Sequence, residues 1–350
     1  MLTEKQLEEI REHLEKAQNP IFLYDNDADG LCSFALLRRF LGRGEGVPIK
    51  SFPDLNDSYF SKVKEFNSDY VFILDKPVVS SEFFESLKTF NLPCVWIDHH
   101  NEQNVKIPEN VFYYNSVKSG NKENIPVTYI CYEVVKKNKE EWLALIGCLN
   151  DAFIPDFFES FRKKNKELFE GLKNSSDPFS IWYDTEFGKI IQMINFAIKD
   201  VPSNVKILQD FFVQMKNPRD LLEENFETKT IHGRYDEIKS RFDILMEKAL
   251  TFVGDDRLFY FKYGGILSLS SDIANKLCYL YPDKTIVVAY VKGAFVNLSL
   301  RGKKDILSVT KRALDGLSGA SGGGHKNATG AKILASDLDL FLERVKKEIE

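Results

Sequence analysis

Several protein classes are excluded by what this sequence lacks. Its five cysteines, Cys32, Cys94, Cys131, Cys148 and Cys278, are scattered through mostly apolar runs and form no CxxC pair. That pattern argues against a disulfide framework and against zinc held by thiolates, and it fits reduced core thiols in an intracellular protein. No apolar run approaches the roughly 20 residues needed to cross a bilayer, so no membrane association is expected. The opening residues, Met1-Leu2-Thr3-Glu4-Lys5, lead into no apolar stretch; no signal peptide is read, and a cytoplasmic location is the expectation. An excess of charge of one sign is missing too. A net charge of -5 over 350 residues gives no global attraction to nucleic acid, although a local basic groove can exist on an acidic protein. Internal repeats and low-complexity tracts are also absent.

What is present is a hydrophobic content of 43% in a chain long enough for two cores. A charged amphipathic helix over residues 3–17 ends at Asn19-Pro20. Short apolar runs without alternation at 21–24, 49–52, 70–74 and 94–97 read as strands buried on both faces. Helical stretches at 31–41, 59–66 and 80–89 lie between them. This βα alternation with short connections predicts an α/β fold with a doubly wound parallel sheet. Helices are expected at 127–137 and 142–150, and residues 157–250 read as a charged, aromatic-rich helical insert ending in one long helix from 232. Strand and helix patterns return after Thr251: strands at 258–262, 285–290, 294–300 and 331–334, helices at 271–280, 308–317 and 337–350. The expected organisation is a first domain over 1–228, a linker helix over 229–252 and a smaller α/β domain over 253–350.

Three of the strand-like runs end in aspartate. Residues 21–24 lead into Asp25-Asn26-Asp27-Ala28-Asp29-Gly30, residues 70–74 into Asp75, and residues 94–97 into Asp98-His99-His100. In an open parallel sheet the strand C-terminal ends are where ligands bind. Carboxylates this close together repel unless a cation neutralises them. Oxygen donors suit Mg²⁺ and Mn²⁺, and added imidazole shifts the preference towards Mn²⁺ or other transition metals. Taken alone, the acidic turn reads more readily as a solvated turn, or as an N-cap by Asp29, than as a metal site. A calcium loop of EF-hand type is excluded, because Arg38, Arg39 and Phe40 stand where its late glutamate is required. The Asp-His-His run, on the same edge as the other two aspartates, turns the reading towards a metal site. Near the C-terminus, Gly322-Gly323-Gly324-His325 falls between a helix and a strand. It reads either as a flexible joint or as a turn whose open backbone approaches a phosphate. His325 beside it and Arg301 at a strand end favour the phosphate.

In order and approximate spacing, Asp27-x-Asp29-Gly30, Asp75, Asp98-His99-His100 and Asp151 resemble the four motifs of the DHH phosphoesterase family. That family includes RecJ-type single-strand exonucleases, nanoRNases and oligoribonucleases, cyclic-dinucleotide phosphodiesterases and family II inorganic pyrophosphatases. The resemblance implies that Asp25, Asp27, Asp29, Asp75, His99 and Asp151 hold a pair of Mn²⁺ ions, with Mg²⁺ as the alternative. Asp75 would bridge them, His100 would face the scissile phosphate as a cation or acid, and Asp98 would orient the histidines by accepting a ring N–H. Many family members carry His where Asp25 stands, whereas RecJ-type members carry Asp. The segment from Ser299-Leu300-Arg301 to Gly322-Gly323-Gly324-His325-Lys326-Asn327-Ala328-Thr329-Gly330 resembles the DHH-associated C-terminal domain. Two departures are Ser321, where a fourth glycine is common, and Thr329, where alanine is common. By that resemblance Ser299, Arg301, Gly322, Gly323, Gly324 and His325 bind the phosphates and nucleotide of the substrate.

The function implied is a Mn²⁺-dependent exonuclease or nanoRNase that hydrolyses short single-stranded RNA or DNA to mononucleotides. Two alternatives stand beside it. One is a phosphodiesterase for cyclic or linear dinucleotides. The other is a RecJ-like scaffold of a replication complex, docking through the 157–250 insert, whose aromatic rings are read mostly as core and otherwise as stacking platforms. All metal-binding positions are filled, which favours an enzyme over a scaffold.

Overall fold

The computed structural model describes every residue except 52–53, 102–105, 119–123, 137, 252–256 and 350. Three expected element ends, Phe52, Lys137 and Glu350, and the expected domain boundary at 252/253 lie outside the described residues. The chain divides into two units, Met1–Tyr235 and Asp236–Glu350.

In the first unit, α1 (Glu4–Lys16) starts with a capping box in which Thr3 and Gln6 satisfy each other's backbone, and it leads to β1 (Pro20–Asp25). Next come α2 (Ala28–Leu41), β2 (Glu45–Ile49), β3 (Asp54–Leu55), α3 (Phe60–Glu65), β4 (Tyr70–Leu74), β5 (Val78–Val79), α4 (Ser81–Thr89), β6 (Cys94–Asp98) and β7 (Val111–Asn115). The main sheet has the order β2-β1-β4-β6-β7 with every pair parallel, and β3 and β5 form a two-stranded ribbon. Every residue of β4 and β6 is buried, as their unbroken apolar runs require of central strands. Alternate side chains serve the two faces. Ile21, Leu23, Val71, Ile73, Cys94 and Trp96 join the core under α3 and α4. Phe22 and Tyr24 meet Phe34 of α2 on the other side. The second strand runs over 45–49 rather than 49–52. Strand β7 has no counterpart in the sequence reading: Val111-Phe-Tyr-Tyr-Asn is an edge strand with an exposed Phe112, too mixed to separate from a loop.

Helices α5 (Val127–Val135) and α6 (Glu141–Asn150) pack on α2. The insert then folds as α7 (Phe158–Lys164), α8 (Pro178–Asp184), α9 (Glu186–Ala197) and α10 (Pro202–Gln214), followed by the 22-residue α11 (Lys229–Leu250), which runs across the boundary between the units. The rings of Phe158, Phe161, Phe169, Phe187, Phe196 and Phe212 are all buried, so these rings build core. The insert is tied to the sheet domain at specific points. The Tyr24 hydroxyl and the Gln209 amide are hydrogen-bonded at 2.8 Å, and Arg39 of α2 donates to the carbonyl oxygens of Phe212, Val213 and Met215.

The second unit contains β8 (Leu258–Gly264), α12 (Ser270–Leu280), β9 (Thr285–Lys292), β10 (Phe295–Arg301), α13 (Ile306–Leu314), β11 (Ser321–His325), β12 (Ala328–Leu334) and α14 (Leu338–Ile349). Its sheet has the order β11-β12-β10-β9-β8, antiparallel except for β8 beside β9. Val287, Ala289, Leu298, Leu300 and Ile333 form a core with Ile306, Val309, Phe341 and Val345 of α13 and α14. The glycine segment, expected as a turn, is instead the edge strand β11, and Lys326-Asn327 make the turn into β12. Pairing of β11 along β12 satisfies backbone groups that a free loop would leave to water. Among the described residues no helix is long and apolar enough to cross a membrane.

Candidate metal centre

Because β1, β4 and β6 are parallel neighbours, their C-terminal ends share one edge. Asp25 is the last residue of β1, Asp75 follows β4 directly, and Asp98 ends β6 with His99 and His100 behind it. Asp27 is the N-cap of α2, accepting from the Gly30 amide at 2.9 Å, so the cap falls there and not on Asp29. Gly30 is required by closeness: a Cβ at this position would stand 2.2 Å from the Asp25 carbonyl oxygen. Asp29, in the first turn of α2, accepts from the amides of Val127 and Thr128 at 2.9 and 2.7 Å, while the Thr128 hydroxyl donates to the Asp29 carbonyl oxygen at 2.8 Å. Its carboxylate therefore also caps the start of α5. Asp151 terminates α6.

These side chains converge. His99 Nε2 lies 3.2 Å from Asp75 Oδ1, 3.4 Å from Asp151 Oδ2 and 3.9 Å from Asp29 Oδ2. Asp25, Asp27 and Asp75 offer oxygens within 4.8 Å of one another, and Asp29, Asp75 and His99 offer ligand atoms within the same span. Asp75 thus belongs to both groups, the placement a bridging carboxylate needs. It adopts a left-handed backbone, φ 59°, with its amide donating to the Ile97 carbonyl oxygen at 3.0 Å. Strained non-glycine residues of this kind concentrate at functional sites. Asp75 Oδ1 is buried and accepts no hydrogen bond. An oxygen so placed is costly without a cation beside it. The donor set, carboxylates plus one imidazole, fits a pair of Mn²⁺ or Mg²⁺ ions.

Titration follows from the same crowding. Burial, with repulsion from Asp151, pushes the Asp29 carboxyl up to about 6, and burial pushes Asp151 up to about 6. Asp27 and Asp75 are raised well above the ordinary carboxylate range, again by burial first and by neighbouring carboxylates second. The two histidines move apart. Burial, helped by repulsion from His100, lowers His99 to about 4, leaving a neutral imidazole fit to be a ligand. Burial pulls His100 down as well, but its hydrogen bond to Asp98 and the charges of Asp98, Asp151 and Asp25 outweigh it and hold the ring at about 9.

Asp98 orients one histidine. Its Oδ1 is 2.8 Å from His100 Nδ1, and its Oδ2 accepts from Asn115 Nδ2 at 3.1 Å and from the Tyr113 hydroxyl at 3.3 Å. Asn115 and Tyr113 come from β7 and were missed with it. Two further supports escaped the sequence. Asn195 of the insert donates to Asn150 Oδ1 at 3.0 Å, and Asn150 Nδ2 contacts Asp151 Oδ1 at 3.3 Å, so α9 braces the end of α6. Lys76 donates to Asp25 Oδ1 at 2.9 Å. Its adjacency to Asp75 was the only signal available.

In the second unit, Ser299 and Arg301 lie on β10 and the glycines and His325 on β11, with β12 between. The register aligns Arg301, Ala328 and His325 in one row and Ser299, Gly330 and Gly323 in another. These rows are two residues apart, so Ser299, Arg301, Gly323 and His325 occupy one face of the sheet. Gly322 and Gly324 point to the opposite face, where added Cβ atoms would stand 2.6 Å from Leu314 Cδ1 and 2.6 Å from the Ala328 carbonyl oxygen respectively. Close packing thus accounts for these two glycines. Helix α12 braces this face: Ser299 Oγ donates to Ser270 Oγ at 2.9 Å and Arg301 Nε to Asn275 Oδ1 at 2.6 Å. Arg301 Nη1 also donates to the carbonyl oxygens of Leu300 and Thr329. A guanidinium fixed on several sides is suited to an anion.

Residues 259–350 match the model of the DHHA1 domain. No curated protein matches the chain in sequence. Among solved structures, RecJ of Thermus thermophilus in complex with Mn²⁺ superposes with a TM-score of 0.67 at 15% identity over 98% of this chain. The same protein in complex with Mg²⁺ gives a TM-score of 0.60 at 14% identity, also over 98% of the chain. The chain spans about half of that RecJ, 54% and 51% in the two structures. The DHH domain of a member of the s1p family of ribosomal proteins gives a TM-score of 0.65 at 18% identity, covering 99% of this chain and 89% of that one. The shared fold covers both units.

Proposed function

We propose that this member of the DHH phosphoesterase family, with its C-terminal DHHA1 domain, is a divalent-metal-dependent phosphodiesterase that shortens single-stranded oligonucleotides to mononucleotides. The observation that carries the reading is the convergence on Asp75. One buried carboxylate is shared by the Asp25 and Asp27 group and by the His99, Asp29 and Asp151 group. These six side chains would hold two ions, Mn²⁺ or Mg²⁺. When bound, such ions supply Lewis-acid activation of a water and neutralise charge developing on a phosphoryl group.

The chain's own residues supply the remainder. His100, held at Nδ1 by Asp98, would present Nε2 as a donor to a phosphoryl oxygen or to the departing oxygen. Asn115 and Tyr113 keep Asp98 in place, so the ring is oriented before substrate arrives. Neutral His99 would remain a ligand. Ser299, Arg301, Gly323 and His325 are assigned to a substrate phosphate and its nucleotide, with Gly322 and Gly324 shaping the strand that carries them.

The test is incubation with Mn²⁺ and 5′-labelled RNA and DNA oligomers from two to about 24 nucleotides, a range that brackets single-strand site sizes. Mononucleotide release supports the proposal. Cleavage confined to two- to five-mers assigns a nanoRNase or a dinucleotide phosphodiesterase, and degradation of the long strands assigns a RecJ-like exonuclease. Bound Mn²⁺ with every oligomer intact would overturn the reading in favour of a scaffold.

A further inference from the structure

Lys76 follows the shared carboxylate Asp75 in sequence, and the function proposed above makes no use of it. Its side chain is completely buried. Nζ donates to Asp25 Oδ1 at 2.9 Å and to the Ser51 carbonyl oxygen at 2.9 Å. The backbone is anchored as well, because the Trp96 indole donates to the Lys76 carbonyl oxygen at 2.9 Å. An ammonium out of water is strongly unfavourable unless a matching charge holds it, and a buried pair adds little to stability beyond what packed apolar groups would give. Fold stability is therefore a weak reason for this lysine. Its position supplies a better one, because the carboxylate it engages belongs to the acidic cluster.

Five carboxylates, Asp25, Asp27, Asp29, Asp75 and Asp151, face the centre, and His99 joins them as a neutral ring. Asp98 stands apart from these five, its Oδ1 engaged by His100 Nδ1 at 2.8 Å. When ionised, the five carboxylates carry five negative charges. The Lys76 ammonium returns one and leaves four, the charge of two divalent cations. We propose that Lys76 is the built-in counter-charge of the metal centre, a positioning residue that fixes Asp25 through one oxygen and matches the cluster to two divalent ions. The proposal rests on the metal-centre reading above but not on any substrate. It also explains how a carboxylate serves at position 25 without leaving the buried cluster overcharged.

The test is Mn²⁺ binding to the metal-stripped full-length chain without substrate, followed by calorimetry and by electron paramagnetic resonance to count bound ions. The wild type, Asp25→Asn, Lys76→Met, Lys76→Arg and the double variant Asp25→Asn/Lys76→Met are compared, with circular dichroism to confirm folding. The wild type is expected to bind two ions. Asp25→Asn removes the carboxylate that Lys76 Nζ engages at 2.9 Å and should weaken the weaker ion by about 100-fold. Removing Lys76 in that background should recover at least about 10-fold, because the repulsion goes with it. Lys76→Arg, which keeps the charge, should stay close to wild type. The double variant removes both members of the Asp25–Lys76 pair, so it tests the idea even if Lys76→Met alone does not fold. A double variant that binds no better than Asp25→Asn overturns the proposal. A wild type that binds no Mn²⁺ overturns the metal centre and Lys76 together, whereas two bound ions without hydrolysis sink only the proposed function.

Discussion

The first sheet delivers Asp25, Asp75 and His99 from strand ends into a crowded, largely buried cluster, whereas the second lays Ser299, Arg301, Gly323 and His325 along the faces of neighbouring strands. The difference fits the ligand proposed for each. A small divalent cation needs several charged oxygens within a few ångströms, and parallel strand ends meeting α2 and α6 achieve that by converging from distant parts of the chain. A phosphate with a nucleotide attached needs donors spread over a longer span and room for its own bulk, which a strand edge without side chains allows. The first region is therefore crowded with carboxylates whose repulsion a cation would relieve, and the second is not.

The largest expected effect breaks the first region alone. Asp75→Ala removes the carboxylate common to both groups and should lower hydrolysis by at least about 10³-fold, with the circular dichroism spectrum unchanged. Wild-type-like turnover in that variant would remove the shared-carboxylate model. Next comes Arg301→Ala, which addresses the second region: KM should rise about 10- to 100-fold, the range for losing a charged hydrogen bond, with Mn²⁺ affinity unchanged. If KM rose and Mn²⁺ affinity fell together, the two regions would not be separable.

The smallest effect sharpens the contrast through pH. Asp29 and Asp151 have values raised to about 6, so the folded, metal-stripped chain holds protons that the unfolded chain has already released. The stability they contribute is full below the ordinary carboxylate value near 4 and is lost as pH rises through about 6. Asp27 and Asp75, raised further, carry the loss to higher pH, while His99, lowered to about 4, offsets part of it below about pH 6.5. Melting temperature of the metal-stripped protein should fall by roughly 5 °C or more between about pH 4 and pH 7, and saturating Mn²⁺ should reverse the fall. A metal-stripped protein that grows more stable over that interval would contradict the crowding described here.

Much of the first region was legible because its information is local. Apolar runs that stop at Asp25, Asp75 and Asp98 announce both the strands and their common edge. The partners of those residues were not legible. Asn115 reaches Asp98 from 17 residues away, and Asn195 reaches Asn150 across 45. Neither asparagine carries a periodic signal, since a single polar residue on a helix or at a strand end looks the same whether it braces a site or faces water. The glycine segment misled for the opposite reason. Three successive glycines are a turn signal by local conformation, but pairing with β12 and packing against Leu314 made them a strand.

Asp29 bears on how such a centre could decay. Its two carboxylate oxygens take up the first amides of α5 whether or not any ion is bound, so the residue is also part of the scaffold. Asp25 and Asp27 carry smaller duties of the same kind, one holding the buried Lys76 ammonium and the other capping α2. Asp29 carries the largest, because losing it releases two amides and unpins a helix. An aspartate surviving here in an otherwise stripped relative is thus a sign of architecture rather than of remaining chemistry.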